Sequence, residues 1–401
     1  MKILYFSYLY DIAGVSAGSA NKAIGFVRGL NEIGHEAKIF WRSVQPQDLV
    51  GSDFKHRLRD HLKKHVSNYV HDFRRLAVNR RYYREELQIL SAQKPDLLLL
   101  RSELYNFSAM AAARRLNIPV VLEVDCPTAF EHRYMSGKDK IKLGPLPECI
   151  ERWNWRHSQA IIAISNILRD FLIKNGVAAE KITVIPNGAD PHSFRPGRAD
   201  ANLRAKFPLQ NRVVIGWVGS LVGWSGLEKL LRVTRQVLRE RPEAVFLFVG
   251  GGKNKQIIES TFAPAERDGR VFLTGTVNWD EVPAYVDLMD ITVAPYPKMD
   301  FWYPSSMKIF EYMSAQKTVI ASAVGQIAEV IQDGENGLLF DPDDHEQFLQ
   351  KILYAIDHST LRSRIAEQAR KTVLDKYTWT RHARTMSSVF EHVRQKPGRS
   401  V

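Results

Sequence analysis

Short runs of apolar residues alternate with longer segments of helical periodicity along most of the chain. Such alternation is typical of a parallel β-sheet wrapped by helices, because strands covered on both faces become almost continuously apolar. The runs fall into two successive sets of six predicted strands. The first set is 2–8, 37–41, 96–100, 119–124, 160–164 and 182–186, and the second is 213–219, 244–250, 271–275, 291–296, 318–322 and 337–340.

The two sets predict an α/β fold with two doubly wound domains. The 401 residues, of which 45% are hydrophobic, are enough for two cores of ordinary size. We expect domains at 1–190 and 191–373, joined near the turn-rich segment 187–198, and a terminal helix within 374–401. Ligands of such sheets bind beyond the carboxyl ends of the strands, so the chemistry is expected in the loops that follow them.

Composition and charge narrow the class of protein. The two cysteines, Cys126 and Cys149, are not spaced as a metal or redox pair, which indicates a reducing environment. The first ten residues do not resemble a signal peptide and no apolar run is long enough to span a membrane, so we expect a cytoplasmic protein. The net charge of +12 indicates an anionic partner: nucleic acid, an acidic membrane surface or phosphorylated substrates.

Residues 54–86 form a basic segment with an apolar stripe at helical spacing. The stripe consists of Leu58, Leu62, Val66, Tyr69, Phe73 and Leu76. Two interpretations are equally favoured: a basic amphipathic helix on an anionic membrane surface, and a helix that packs its stripe on the first sheet. No known nucleic-acid-binding module is visible, so no nucleic-acid partner is expected.

Two glycine-rich segments follow predicted strands. Gly14 and Gly18 precede a helix whose predicted apolar positions are Ile24, Val27, Leu30 and Ile33. Glycines and a helix N-terminus suit phosphate contact, but a plain tight turn explains them equally well. For the second segment, FVGGG at 248–252, close packing is the better interpretation.

Polar residues lie just beyond the predicted strand 119–124. Asp125 and Glu131 are either ligand-binding groups or ordinary solvated loop acids, and these alternatives are evenly balanced. His132 is expected to be a hydrogen-bonded structural residue. No group of His, Asp and Glu residues has convincing spacing for a metal, so no metal site is predicted.

The segment FWYPSSMKIFEYMSA at 301–315 places one acid, Glu311, in an otherwise apolar helical run. Residues 304–306 supply a turn and an N-cap signal ahead of this helix. The carboxylate is either a surface group or the centre of a binding site.

Several longer motifs carry a family resemblance. VIPNG at 184–188, FEYM at 310–313 and GENGLLF at 334–340 closely resemble the retaining glycosyltransferases of family 4, which have the GT-B fold. The resemblance is strong over 160–345 and fainter before it, where NEIGHEAKIF and EVDCP resemble family segments. It implies two facing domains with a cleft between them and a C-terminal helix that crosses back to the first domain.

The resemblance also implies an activity. A sugar would be transferred from a nucleotide-sugar donor to a glycan, lipid-linked or small-molecule acceptor, with retained anomeric configuration and without a metal or other cofactor. UDP-sugars are favoured over GDP- or ADP-sugars. The protein would be cytoplasmic, with peripheral attachment at the inner membrane as an option.

Site residues follow from matching motifs. Glu311 matches the second acid of the family's paired-acid motif, which holds the ribose hydroxyls, whereas Tyr303 occupies the position of the first acid. Ser220 and Ser225 stand where the family often has Arg and Lys, and Lys308 is expected to supply the lost charge. The implied donor contacts are Gly18, Gly219, Ser220, Tyr303, Ser305, Ser306, Met307, Lys308, Ile309 and Glu311, and the implied catalytic residues are Asp125, Glu131 and Lys308.

Two other functions stay open at this point. Loss of the first acid and of the Arg and Lys pair is compatible with a degenerate GT-B protein that binds a nucleotide sugar or glycan without transferring it. A sugar-nucleotide epimerase of related fold is a weaker alternative, because the motif wording favours the transferases.

Overall fold

A computed structural model describes residues 1–7, 17–41, 60–135, 141–219, 226–251, 255–262 and 269–395. Gly14, Leu58, Ser220 and Ser225 lie outside the described residues. The chain divides into two compact units. The first unit is Met1–Pro186 with Trp379–Val401, and the second is Asn187–Thr378, whereas the sequence analysis placed the boundaries at 190 and 373.

Each unit contains one parallel six-stranded sheet, so the predicted α/β fold and all twelve predicted strands are confirmed. The first sheet has the order β2-β1-β3-β4-β5-β6 and the second the order β12-β11-β10-β7-β8-β9. The strands are β1 Lys2–Ser7, β2 Glu36–Trp41, β3 Leu97–Arg101, β4 Val120–Val124, β5 Ala160–Ala163, β6 Ile182–Val184, β7 Val213–Val218, β8 Ala244–Val249, β9 Val271–Leu273, β10 Ile291–Ala294, β11 Thr318–Ser322 and β12 Leu338–Phe340.

Helices connect the strands and cover the sheets. They are α1 Ala17–Glu32, α2 Asp60–Gln93, α3 Ser108–Arg115, α4 Thr128–Phe130, α5 Leu146–His157, α6 Asn166–Lys174, α7 Ala201–Ala205, α8 Leu227–Glu240, α9 Lys255–Thr261, α10 Val282–Asp287, α11 Met307–Ser314, α12 Ile327–Val330, α13 His345–Asp357, α14 Ser359–Lys376 and α15 Trp379–Gln395. A π-helical turn, Glu131–Met135, continues α4, and a 3-10 turn, Ala179–Lys181, precedes β6.

Helix α1 packs differently from the predicted face. Leu30 is buried as expected, but Ile24 is 50% exposed, and Ala23 and Phe26 are buried in addition. The cause is α15, which packs against α1 in the same unit. A Cβ atom at Gly25 would lie 2.5 Å from the indole ring of Trp379, so glycine is required for this close approach.

The buried face of helix α2 differs from the apolar stripe that was predicted for the basic segment. Phe73, assigned to the stripe, is 56% exposed. Leu76, also assigned to the stripe, is partly buried against the core of the first unit. The fully buried positions include Leu90 and three polar residues that recur every seven residues: Asp72, Asn79 and Glu86. Within the described part of the chain, no helix is long and apolar enough to cross a membrane. Peripheral contact with an anionic membrane stays a prediction.

Asn79 joins α2 to the loop that follows β3. Its amide nitrogen donates to the Tyr105 carbonyl at 2.8 Å, and its amide oxygen accepts from the backbone N–H groups of Phe107 and Ser108 at 2.9 and 3.1 Å. Tyr105 has a φ of +63°, an uncommon backbone conformation for a bulky residue. The buried amide therefore fixes a loop at the carboxyl end of the first sheet.

We predict that Asn79→Ala lowers the free energy of unfolding by about 2–4 kcal/mol, because it removes the three hydrogen bonds to the loop and leaves buried backbone groups unpaired. Urea unfolding followed by circular dichroism measures the effect. Gln88→Ala, on the exposed side of the same helix, is the matched control and should change stability by less than about 0.5 kcal/mol. Equal effects of the two variants would contradict the bracing role of Asn79.

Candidate active site

The strand order identifies one crevice in each sheet. In the first sheet, β1 lies between β2 and β3, and in the second, β7 lies between β10 and β8. Connections leave these strands in opposite directions, and ligands of doubly wound sheets bind at such switch points, beyond the carboxyl ends of the strands. Charged residues cluster at this position in both units.

In the second unit, Lys308 is held by aromatic rings. Its ammonium nitrogen lies 4.6 Å from the ring centroid of Trp217, on β7, and 5.5 Å from that of Tyr296, just after β10. Within the described residues, no carboxylate lies within ion-pair distance of Lys308. Burial lowers the pKa of its ammonium group to about 8. Lys308 is therefore a positioned cation without a neutralising partner.

Glu311 lies one turn further along α11 and is only 8% exposed. No hydrogen bond or ion pair in the described part of the chain engages its carboxylate. Burial raises its pKa to about 7, against the attraction of Lys308. A buried carboxylate that no protein group satisfies is suited to accept hydrogen bonds from a ligand.

The turn before α11 is fixed from outside the helix. Asn187 donates its backbone N–H to Ser305 Oγ at 2.9 Å and its side-chain amide to the Ser305 carbonyl at 2.6 Å. Ser306 occupies the N-cap position, but its hydroxyl bonds to Tyr296 Oη at 2.7 Å and makes no capping bond. The start of α11 is thus held in place without a side-chain cap.

Three further contacts anchor α11 itself. Tyr312 Oη accepts the backbone N–H of Val218 at 2.7 Å, which ties the helix to the end of β7. Ser314 Oγ donates to the Phe194 carbonyl at 2.8 Å, and Arg370 donates to the Ser314 carbonyl. The family motifs around Asn187 and Tyr312 therefore act by positioning the helix that carries Lys308 and Glu311.

Glycines permit the close approach at the end of β7. Gly219 has a φ of +148°, and a Cβ atom there would lie 2.9 Å from Lys308 Nζ. A Cβ atom at Gly250 would lie 2.0 Å from the Gly219 carbonyl oxygen. This contact agrees with the packing interpretation of the FVGGG segment.

The structure locates the remaining implied donor residues in the second unit. Tyr303 is 5% exposed and packs against Phe301 with ring centroids 5.2 Å apart. Met307 begins α11 and is partly exposed, whereas Ile309 is buried beneath it.

In the first unit, charges at the switch point are paired with one another. Lys22 Nζ lies 2.7 Å from Glu123 Oε1 and also contacts Asp125. Burial would lower the pKa of Lys22, but the two carboxylates raise it above its ordinary value. Burial would likewise raise the pKa of Asp125, yet Lys22 and Arg101 hold it below its usual range. Tyr5 completes the group by donating its hydroxyl to Glu123.

Arg101 ends β3 and is 8% exposed. One nitrogen, Nη2, lies 3.0 Å from Asp125 Oδ2 and 3.0 Å from Ser19 Oγ. Its Nε and Nη1 atoms have no hydrogen-bond partner in the described part of the chain. Glu103 lies 3.8 Å from Nε, its side chain is 17% exposed, and burial raises its pKa to about 7. Glu103 is thus a loosely held acid that titrates near neutral pH.

The structure also gives the positions and contacts of the other site residues predicted in the first unit. Gly18 is exposed and lies in the first turn of α1, not ahead of the helix as predicted. Glu131 hydrogen-bonds to Cys126, and burial together with this carboxylate raises the pKa of the thiol. His132 bonds through Nδ1 to the Thr128 carbonyl at 2.9 Å, as expected for a structural histidine.

Sequence reasoning missed several charged or aromatic residues of these clusters: Lys22, Arg101, Glu103, Glu123, Trp217 and Tyr296. For Arg101 and Glu123 the available signal was a charged residue inside an otherwise apolar strand, such as Glu123 in VVLEV. Among the described residues, no group of three or more His, Cys, Asp or Glu side chains is placed to hold a metal ion.

Two doubly wound sheets with sites at their switch points define the GT-B architecture. The Glycosyltransferase Family 4 model matches residues 17–193, and the Glycosyl transferases group 1 model matches residues 212–358. The chain therefore belongs to the group 1, family 4 glycosyltransferases and is a glycosyltransferase.

Relatives agree with this assignment. An uncharacterized glycosyltransferase of Methanocaldococcus jannaschii is 22% identical over 302 residues, which cover 74% of this chain and 75% of the relative. Sulfoquinovosyl transferase of Arabidopsis thaliana is 27% identical over 294 residues, which cover 71% of this chain and 54% of the relative. A crystal structure of HepE from Anabaena in complex with UDP has a TM-score of 0.69 at 18% identity, covering 98% of this chain and 100% of that chain.

The raised pKa of Glu311 predicts a pH-dependent stability. An ordinary glutamate pKa of 4.5 rises to about 7 in the folded protein, so folding disfavours the ionised form. Stability is therefore retained below pH 4.5 and falls as the pH rises towards 7. The advantage of Glu311→Gln over the wild type should grow by about 1–3 kcal/mol between pH 5 and pH 8 in the absence of ligand.

Urea unfolding of both proteins at the two pH values measures this difference, and any pH-independent effect of the amide cancels. Glu335→Gln, at an exposed position of the same unit, is the control and should show no such growth. A constant difference for Glu311→Gln would contradict burial of an ionisable carboxylate at this site.

Proposed function

We propose that the protein transfers a sugar from a nucleotide-sugar donor, with a UDP-sugar favoured, to an acceptor and retains the anomeric configuration. The observation that carries the proposal is the pairing of an unneutralised cation, Lys308, with an unsatisfied carboxylate, Glu311, on one short helix. A nucleoside diphosphate carries the two complementary features, which are a negative diphosphate and a ribose with two neighbouring hydroxyls.

The diphosphate would bind at the start of α11. Lys308 supplies one positive charge, and the backbone N–H groups at a helix N-terminus supply a further partial positive charge. Ser306 leaves these groups without a side-chain cap because its hydroxyl bonds to Tyr296. This arrangement neutralises charge on the leaving group, which supports a reaction that does not require a metal ion.

The ribose would bind at Glu311. An ionised carboxylate accepts hydrogen bonds from two neighbouring hydroxyls, and these bonds stabilise the charge that burial disfavours. Ligand binding should therefore lower the pKa of Glu311. The crystal structure of HepE in complex with UDP, a protein of the same fold, supports a uridine nucleotide.

Retention is proposed to proceed by attack from the same face as the leaving group. The bond between the anomeric carbon and the diphosphate oxygen breaks, and a bond from the acceptor oxygen to that carbon forms. The acceptor proton passes to the departing diphosphate oxygen, so no nucleophile from the protein is needed. Lys308 acts in this step by stabilising the negative charge on the diphosphate.

The acceptor is proposed to contact the charged cluster of the first unit. Asp125 already contacts Lys22 and Arg101, so its role is to position Arg101. Glu103, whose side chain is partly exposed beside Arg101, can accept a hydrogen bond from an acceptor hydroxyl. Glu131 is a second carboxylate for a glycan, lipid-linked or small-molecule acceptor that carries several hydroxyls.

We predict that UDP raises the thermal midpoint of the wild type and that Lys308→Met and Glu311→Gln each weaken UDP binding about tenfold or more, because each loses a charge-assisted contact. GDP and ADP should bind more weakly than UDP. Lys371→Met, at an exposed position on α14, is the matched control and should bind UDP as the wild type does.

Turnover distinguishes the proposed transferase from a degenerate binding protein with Tyr303 in place of the first acid. Wild-type protein with UDP-sugars and acceptor mixtures, in the presence of a chelator, should release UDP and form a product whose anomeric configuration by NMR equals that of the donor. Binding of UDP without turnover on any acceptor would favour the degenerate protein, and an inverted product would exclude retention.

A second prediction concerns the acceptor side. Glu103→Gln should raise the KM for the acceptor about tenfold while leaving UDP affinity unchanged, because one charge-assisted hydrogen bond is lost. It should also remove a titration near pH 7 from the profile of kcat/KM. Glu180→Gln, exposed in the same unit, is the control. An unchanged acceptor KM and pH profile would remove Glu103 from the site.

A further inference from the structure

A second charged pocket lies at the opposite edge of the second sheet, where the strands begin. It is a cavity of about 590 Å³ whose lining includes four arginines, Arg212, Arg235, Arg239 and Arg270. Leu238 and Phe262 contribute apolar surface to the same cavity. We refer to this cavity as the arginine pocket.

The topology brings the four arginines together. Arg212 directly precedes β7 and Arg270 directly precedes β9, and both strands pair in parallel with β8. Helix α8 follows β7 and returns to the edge where the strands begin. Arg235 and Arg239 are four residues apart in its last turns and therefore lie on one helix face.

Three of the guanidinium groups are fixed by contacts with the backbone. Arg212 donates from Nη1 to the Pro242 carbonyl at 2.6 Å, and Arg270 donates from Nη1 to the Leu238 carbonyl at 2.7 Å. Arg235 donates to the Thr261 carbonyl and lies 6.0 Å from the ring centroid of Phe262. Each contact uses one nitrogen of a group with five N–H donors, so further donors are available at the pocket.

The described residues do not neutralise the charge of this cluster. Within the described residues, no carboxylate lies within ion-pair distance of any of the four guanidinium groups. Of the acids nearest in sequence, Glu240 and Glu243 form no ion pair with the cluster, and Glu266 and Asp268 lie outside the described residues. The C-terminus of α8 carries only about half a negative charge. This charge can attract one arginine but cannot neutralise four. A bound anion would relieve the repulsion among them.

We propose that the arginine pocket binds a phosphate-bearing anion at a site separate from the donor site. Planar guanidinium groups hold phosphate oxygens by paired hydrogen bonds, and prepositioned donors lose little entropy on binding. The pocket lies at the amino ends of the strands, whereas Lys308 and Glu311 lie at the carboxyl ends of the same sheet. The proposal does not depend on the proposed reaction. The phosphate could belong to a soluble ligand or to a membrane lipid headgroup.

The test uses full-length protein and a double variant, Arg212→Gln with Arg235→Gln. The matched control is Arg195→Gln with Arg364→Gln, which removes the same charge from two exposed arginines of the second unit that also donate to backbone carbonyls. All proteins carry Lys308→Met, which removes the cation of the donor site. Unchanged circular dichroism and thermal midpoints establish that the variants are folded.

Two probes separate the sources of phosphate. Inorganic pyrophosphate is titrated by calorimetry, and phosphatidylglycerol vesicles are compared with phosphatidylcholine vesicles by co-sedimentation. We expect the pocket variant to bind one of these anionic probes about tenfold or more weakly than the control, and increasing salt to reduce binding. Loss of pyrophosphate binding identifies a soluble ligand, and loss of binding to phosphatidylglycerol vesicles alone identifies a lipid headgroup. Equal binding by the two variants, or no binding by the control, would overturn the proposal.

Discussion

Burial of ionisable groups at the carboxyl ends of the two sheets is the constraint on which both sites depend. A buried charge is costly unless a partner of opposite sign lies close to it. In the first unit, Lys22 and Arg101 compensate Glu123 and Asp125 directly. In the second, Lys308 lies over aromatic rings and Glu311 has no partner among the described residues, so the described protein groups do not offset the cost of burying Glu311.

Lys308 and Glu311 keep their positions because other contacts hold α11 in place. Asn187 fixes the turn before the helix, Tyr312 ties it to β7, and Arg370 binds the carbonyl near its end. None of these three residues needs to touch a ligand to matter, since displacement of the helix would move Lys308 and Glu311 together. The contacts of Asn187, Tyr312 and Arg370 therefore give these residues a structural role, which is to hold α11 in position.

The sequence predicted the strands well because both sheets are covered on both faces, which makes their strands nearly continuous apolar runs. Helix faces were harder to predict. The face of α1 is determined by α15, which is far away in sequence and approaches through Gly25. The buried face of α2 includes polar residues such as Asn79, which satisfies backbone groups of a loop, and no apolar periodicity reports such a contact.

The candidate site residues likewise divide into those that the sequence predicts and those that it does not. Glu311 and Lys308 could be assigned from a family resemblance, because they lie on one short helix within a continuous motif. Arg101, Glu103 and Asp125 come from two strand ends that are separated in sequence, and only the pairing of β3 with β4 brings them together. Their chemistry depends on distances that the sequence does not contain. Asp125 illustrates the point: its position beyond a strand left open a ligand-binding group or a solvated loop acid, whereas the structure shows that it contacts Lys22 and Arg101.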